Sequence, residues 1–562
     1  MRLELSSGDV IYYKPRSMAV DNAWARFTDR LNRSGFPTRL YAPEVLDMGS
    51  YGYMQEITYH SAVSENEMKE YYTNAGGLCC VVAMLGGSDF HHENIIAHGT
   101  VPVLIDVETI ITPKPAPLYG LTGVTQNEGA STHVGRTLML QRWVGESPIS
   151  ARDIGGFTSE QITEKNIPDV KKGAEYYINE FISGYSRAYD FFLSRKHAIL
   201  QEGWLNDFAG CQFRYVFRRT ALYYSLIKHF YSAAFMRDIL YFEGAISRFG
   251  AGILLNFDKT DAKKLWNLVL EEKEAARRGD IPYFTCSGSS KDIFVGKGVC
   301  VKEFFDSSPV ELASHNLMLM TQENKLREIK YINLDLETCY LQKQFSDKTP
   351  VLSYQDSQRT VSSGLNAYEQ KIIDEIKRLK KEIDSFELTG GQFDYYAPVR
   401  DRKNTRYNLE ILPTDLYSGV LGVLSAQAAY AWLFDCKQLK LKLYEKIKKI
   451  YSEEYHTGRN SVLLNLSYTQ GIAGFIQTII TIADISDNKS LMEMAVNVAL
   501  DIPEEHIRRT QEADFFGGLS GLLYFLSKLY MRCGNDKLKI KIELVSEELI
   551  KRAQTDEQGR LW

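Results

Sequence analysis

The sequence predicts an α+β fold followed by an all-α segment, and three observations carry that expectation. The stretch Leu85–Asn94 followed by Val101–Thr109 reads as helix, polar loop, apolar strand and acidic loop. Upstream, Gly8–Arg16 and Tyr51–Ile57 read as strands flanking Ala19–Leu31, where apolar residues recur at helical spacing. From about Val399 onward, three G-x-x-G segments each lead into a long apolar helix. Their first glycines, Gly419, Gly471 and Gly518, recur at intervals of 52 and 47 residues. A period near 50 with a helical pattern predicts stacked helix pairs.

In chain order, the first strand carries Lys14 at its end. A strand lysine of this kind can pair with nucleotide phosphates. Ser64-Glu65-Asn66-Glu67 has the form of a capping box and predicts a helix running toward Gly76-Gly77, with a second, apolar helix beyond that pair. The polar loop then places Asp89, His91 and Asn94 within six residues, and Asp106 and Glu108 follow the apolar run Val101–Ile105. On extended backbone, residues two apart point to one side. Such a set suits phosphotransfer: one Asp takes the proton of a hydroxyl nucleophile, while an Asn and a later Asp hold the metal that bridges nucleotide phosphates. Ala174–Phe192 has Tyr and Phe at helical spacing, a core pattern, and Asp261–Arg278 reads as a charged surface helix. Ser287–Ser290 is a turn. Polar breaks after Ser346 precede a charged helix, Leu365–Phe386, which reads as a connector over 346–395.

Composition excludes several functions. The net charge of −5 gives no reason to expect nucleic-acid or anionic-membrane affinity, and no apolar run is long enough for a membrane span. The N-terminus lacks a signal-peptide pattern, so the cytoplasm is the expected compartment. The eight cysteines are scattered apart from Cys79-Cys80, which suggests buried thiols and no disulfide framework. The 34 Tyr and 27 Phe fit aromatic cores or peptide-binding grooves.

Tyr12–Arg16, Ser88–Ala97 and Val103–Thr109, with Phe213–Thr220 and Gly279–Thr285, together resemble the dehydratase domain of class II lanthipeptide synthetases in order and spacing. The resemblance implies a lipid-kinase-like dehydratase over residues 1–345. Such an enzyme phosphorylates Ser and Thr of a ribosomal precursor peptide with ATP and Mg²⁺, then eliminates phosphate to leave dehydro residues. Carried onto this sequence, Lys14 contacts the ATP phosphates, Asp89 is the catalytic carboxylate and His91 stands beside it. Asn94 and Asp106 bind Mg²⁺, with Glu108 close behind, and Arg214 and Thr220 handle the phosphorylated side chain. Arg is suited to that task, because its planar fork meets two phosphate oxygens at once. No residue stands out as the base that takes the α-proton.

Residues 396–562 resemble the start of the lanthionine cyclase domain, an α/α toroid in which zinc held by Cys, Cys and His activates a peptide thiol. Here the region offers Cys436, Cys533, His456 and His506, none in the family's Cys-Tyr-Gly or Cys-His-Gly context. The expectation is therefore no zinc site and no cyclisation by this chain alone. Family members also have a longer N-terminal region before the lysine strand. On that comparison the N-terminal lobe is expected to be incomplete and the strand from Gly8 to lack neighbours, so that the chain is either a fragment or split gene product, or works with a second polypeptide that completes the lobe. A non-catalytic or split-gene partner that binds precursor peptide is the alternative to an active dehydratase.

Overall fold

The computed structural model describes residues 1–62, 64–116, 134–145, 147, 150–158, 165–169, 171–218, 220–250, 259–296, 298–345, 365–387, 395–401, 403, 405–452, 465–486 and 488–553. Among these residues no helix is long and apolar enough to cross a membrane. The chain divides into two compact units. One comprises residues 1–352 with 398–409, the other 353–397 with 410–562.

The first unit opens with strands β1 (Arg2–Glu4) and β2 (Val10–Lys14), helix α1 (Ala19–Arg33), and strands β3 (Val45–Asp47) and β4 (Gly52–Gln55). The sheet is antiparallel in the order β1-β2-β4-β3. The expectation that the lysine strand lacks neighbours is therefore corrected: β2 is an interior strand, paired on one side by the chain's own first residues.

Helix α2 (Glu65–Leu85) is buried along nearly all of its length after the first turn and is the axis of the unit. Its Ser64 N-cap accepts the Glu67 N–H. The two helices expected on either side of Gly76-Gly77 are one helix. The pair marks a close crossing with α3 (Ile178–Gln201): a Cβ on Gly76 would collide with the Phe181 carbonyl oxygen, and one on Gly184 with that of Thr73. α3 buries Phe181, Tyr185, Tyr189 and Phe192, the aromatic stripe read from the sequence.

Between the polar loop and the apolar strand lies a strand not expected from the sequence. β5 (Ile95–His98) pairs antiparallel with β6 (Val101–Leu104). β6 stops at Leu104, so Asp106 and Glu108 lie beyond the strand, Glu108 in a turn. A short hairpin, β7 (Trp143–Val144) and β8 (Arg152–Asp153), follows. After α3 come β9 (Gln212–Tyr215), helices α4 (Thr220–Phe230), α5 (Ala233–Met236) and α6 (Ile239–Ile246), then α7 (Lys259–Arg277). β10 (Phe284–Ser287), β11 (Ile293–Val295) and β12 (Gly298–Val301) join β9 in a second antiparallel sheet ordered β12-β11-β10-β9. α7 buries a narrow stripe, as expected, but that stripe includes Glu272. Arg218 grips Glu272 in a fork, at 2.5 and 3.1 Å, and the Tyr223 hydroxyl donates to it at 2.7 Å. Helices α8 (Pro309–Met318) and α9 (Gln322–Phe345) complete the unit.

In the second unit, α10 (Leu365–Ser385) is the charged helix expected as a connector, and it belongs to this unit. Its Asp384 accepts from Gln427, which also donates to the Tyr395 hydroxyl. Wholly buried Lys446 donates to that hydroxyl at 2.8 Å and pairs with Glu387 at 2.8 Å. The hairpin β13 (Tyr396–Arg400) and β14 (Tyr407–Ile411) falls mostly within residues 398–409, which belong to the first unit. Among its described residues the second unit then has three helix pairs: α11 (Val420–Leu433) with α12 (Lys437–Ile450), α13 (Ile472–Ser486) with α14 (Lys489–Leu500), and, after short α15 (Glu504–Arg509), α16 (Leu519–Cys533) with α17 (Asp536–Arg552). The glycine repeat has one physical cause throughout. A Cβ on Gly419, Gly471 or Gly518 would overlap the carbonyl oxygen six residues earlier, that of Pro413, Asn465 or Glu512. The second glycines, Gly422, Gly474 and Gly521, likewise abut Leu416, Tyr468 and Phe515. Each loop folds back against the first turn of its own helix, and only glycine leaves room. The loops are also bonded in series, Leu416 N–H to the Thr469 carbonyl and Tyr468 N–H to that of Phe516.

Candidate active site

The C-terminus of α2 delivers the polar loop. Gly86 caps the helix in the left-handed conformation, and a Cβ on Gly87 would press on Val82 and Phe90. Asp89 itself has φ of +68°, an uncommon conformation for a residue with a side chain. Its neighbours hold it there. Phe90 is fully buried and its N–H donates to the Thr137 carbonyl at 2.8 Å. His92 is buried, with Nδ1 3.0 Å from the Ile154 carbonyl oxygen. Phe90 and His92 are thus anchors, and the alternate residues Asp89 and His91 stay accessible, with His91 Nε2 3.8 Å from Asp89 Oδ1. Asn94 closes the loop by donating from its side chain to the Asp89 carbonyl at 2.7 Å. Its own carbonyl accepts the Ile105 N–H, which sets the loop beside the end of β6.

Lys14 reaches the same place from the first sheet. Its ammonium lies 3.4 Å from the Ile105 carbonyl oxygen and 3.9 Å from Asp106 Oδ2. Arg214 arrives from β9. Its backbone N–H donates to the Glu108 carbonyl at 2.9 Å and its guanidinium meets Glu108 Oε1 at 2.7 Å. Two residues missed in the sequence complete the arrangement. Arg16 binds Asp106 Oδ1 at 3.1 Å, Glu108 Oε2 at 3.4 Å and buried Asp21 at 2.6 Å. Tyr283 donates to Glu108 Oε2 at 3.2 Å and lies beneath the Arg214 guanidinium, 5.5 Å from ring centre to carbon. Both stand inside stretches that carried the family resemblance, which was the available signal. Thr220 is not brought in by any contact: it is exposed at the start of α4, and among the described residues no hydrogen bond ties it to the cluster.

Charge alternates along this chain of contacts, from Lys14 through Asp106, Arg16 and Glu108 to Arg214. Withdrawal from water raises the Asp89 pKa. His91 and Arg214 oppose that rise, while Asp106 and Glu108 reinforce it. Burial works against the charge on Arg16, yet Asp21, Asp106 and Glu108 hold its pKa above the usual arginine value. Arg214 is likewise desolvated but kept charged by Glu108. The Asp106 carboxylate and the Asn94 amide carry hard oxygens, the donor type that suits Mg²⁺. Glu108 is already satisfied by two guanidiniums and a phenol. The neighbouring side chains His91, His92 and Glu93 also lie close enough to share an ion.

A family model described as "Domain of unknown function (DUF4135)" matches residues 1–173 and 158–287, and one described as "Lanthionine synthetase C-like protein" matches residues 410–562. The chain belongs to the class II lanthipeptide synthetase family. It is 20% identical to the "Lacticin 481/lactococcin biosynthesis protein LcnDR2" of Lactococcus lactis subsp. lactis, an alignment that covers 96% of this chain and 61% of that protein. The chain thus spans under two thirds of the length of that protein. In the lanthionine synthetase C-like unit, the described residues do not fit the zinc site that the family implies. Cys436 precedes α12, with its thiol directed at the Phe434 carbonyl. Cys533 is exposed at the end of α16, and no three potential ligands of that unit cluster among the described residues. His456 lies outside the described residues.

Proposed function

We propose that this synthetase-family chain is a kinase-like dehydratase of a ribosomal lanthipeptide precursor, phosphorylating Ser and Thr with ATP and then eliminating phosphate. The observation that supports it is the meeting of Lys14, Asp89, Asn94, Asp106 and Arg214, from four separate parts of the first unit, at one charged cluster. Mg²⁺ bound by Asp106 and Asn94 would neutralise phosphate charge. Lys14 is set to hold nucleotide phosphates. Asp89 takes the proton of the attacking hydroxyl as its oxygen bonds to the γ-phosphorus and ADP leaves. A carboxylate of raised pKa is the better base for that role. In the second step a base takes the Cα proton, the electron pair of that C–H bond forms the Cα=Cβ bond, and the Cβ–O bond breaks so that phosphate leaves with the electrons of the broken bond, gripped by Arg214. Glu108 keeps Tyr283 and Arg16 as partners while Arg214 turns part of its fork to phosphate. Thr220 is assigned to this step by family pattern alone. We assign no cyclisation to this chain alone, because neither Cys436 nor Cys533 stands in the family's Cys-Tyr-Gly or Cys-His-Gly context.

Co-expression with a precursor peptide followed by mass spectrometry tests the reading. The unaltered chain removes one water per modified residue. Asp89→Ala leaves peptide unmodified, and Arg214→Ala leaves phosphopeptide. A peptide that binds but never changes mass would establish the peptide-binding alternative instead, and identical products from the two variants would refute the division of roles.

A further inference from the structure

Arg16 stands at the centre of the cluster, and the dehydratase reading above uses it only as a partner of Glu108. Its guanidinium is nearly spent on carboxylates. Nη1 and Nη2 fork onto Asp21 at 2.6 and 3.3 Å, Nη2 also reaches Asp106 at 3.1 Å, and Nε faces Glu108 at 3.4 Å. Asp21 is almost wholly buried in the first turn of α1, so its place is fixed by packing. Asp106 is more open and belongs to the metal pair, whereas Glu108 belongs to Arg214. One side chain therefore joins the carboxylates assigned to the two half-reactions.

We propose that Arg16, anchored by Asp21, is a positioning residue that holds Asp106 and Glu108 in register and serves as the resident cation at Asp106 until a divalent ion takes that contact. Three features support this. The Asp21 fork is the shortest and most buried of the contacts, so it persists when Asp106 is given up. A guanidinium presents five donors in one plane, so it can release one carboxylate and keep two. And Asp106 and Glu108 are held by the same ion, so a shift at one is felt at the other. The catalytic half of the inference rests on the dehydratase reading, but the cation half does not.

The two roles have opposite signs, which makes them separable. Taking a positive charge away from 3.1 Å strengthens divalent-ion binding at Asp106, whereas losing the register slows turnover. A purely structural residue would weaken both. The test uses the full chain and Mn²⁺ alone, with free Mn²⁺ followed by electron paramagnetic resonance. Arg16→Gln is expected to bind Mn²⁺ about fivefold more tightly while phosphorylation turnover falls at least tenfold. Arg16→Lys keeps the charge but not the fork, so it retains the original Mn²⁺ affinity and still loses turnover. Asp21→Asn removes a negative charge and leaves the Arg16 cation to Asp106, so Mn²⁺ affinity falls, opposite in sign to Arg16→Gln. Unchanged or weaker Mn²⁺ binding in Arg16→Gln overturns the proposal, as does a chain that binds no Mn²⁺ in any form. If the unaltered chain modifies no precursor, the dehydratase reading fails, and the Mn²⁺ titration still decides the role of Arg16 at Asp106.

Discussion

Glu108→Gln is the substitution that most directly measures how the cleft is held together. The carboxylate accepts from Arg214 at 2.7 Å, from Tyr283 at 3.2 Å and from Arg16 at 3.4 Å, and its side chain is only 12% exposed. The amide keeps the shape but removes the charge and turns a donor toward one of two guanidiniums. A charge-assisted hydrogen bond contributes about 1.5–3 kcal/mol, and the contact at 2.7 Å falls in that range. The contact at 3.4 Å adds little, and Arg214, 28% exposed, recovers some hydration when released. A net loss of about 2 kcal/mol follows. Urea unfolding followed by tryptophan fluorescence reads it, since Trp24 and Trp204 are buried in the same unit. The cause is isolated by a cycle with Arg214→Gln: once Arg214 is gone, Glu108→Gln should cost about 1–2 kcal/mol less. A coupling below roughly 0.5 kcal/mol would show that Glu108 and Arg214 are neighbours without interacting, and the reasoning about a shared ion chain would fail.

Two further outcomes follow from the packing. Gly184→Ala places a methyl group against the Thr73 carbonyl oxygen at the α2–α3 crossing; it should cost about 3 kcal/mol, well beyond the helix-propensity gain of about 1 kcal/mol, and unfolding midpoints that rise instead would refute the close-crossing argument. Asp335 is buried, with its carboxylate accepting the Gln141 N–H at 3.0 Å, and burial raises its pKa to about 8. The folded state therefore holds a proton that the unfolded chain releases near the ordinary carboxylate pKa of about 4, so this group's contribution to stability falls as pH rises from about 4 to about 8. Asp335→Asn should gain on the unaltered protein by about 3 kcal/mol between pH 5 and pH 8, and a pH-independent difference in unfolding free energy would sink that assignment.

What the sequence disclosed depended on how far each residue's partners lie along the chain. Asp89, His91, Asn94 and Asp106 could be read together because loop and strand are adjacent, and the glycine repeat could be read because each glycine answers to a carbonyl six residues away. Gly76-Gly77 misled, because a glycine pair punctuates a helix unless another backbone leans on it, and the backbone that does so is more than a hundred residues distant. β5 was hidden because four residues show little periodicity and are defined by pairing with β6. Arg16 and Tyr283 were visible within family-like stretches, but the carboxylates they meet in the cluster, Asp106 and Glu108, are 90 or more residues away, and no local rule assigns them.

The alternation of charge explains why one cluster can carry both halves of the proposed reaction. Phosphate is doubly anionic when it arrives and when it leaves, so the site must offer cations without collapsing when they are unoccupied. Lys14, Arg16 and Arg214 each rest on a carboxylate that is itself assigned to the chemistry or its support. A phosphoryl group that draws Lys14 or Arg214 away frees part of Asp106 or Glu108, and Arg16, still tied to Asp21, limits how far either carboxylate can move. In the proposed reaction the cost of separating each ion pair would be offset by phosphate contacts of the same kind. Had Arg214 been paired with a deeply buried acid, as Arg218 is with Glu272, its release would cost several kcal/mol and the arginine would be confined to a structural role. The contrast between these two arginines, four residues apart, separates the one suited to handling phosphate from the one that holds the fold.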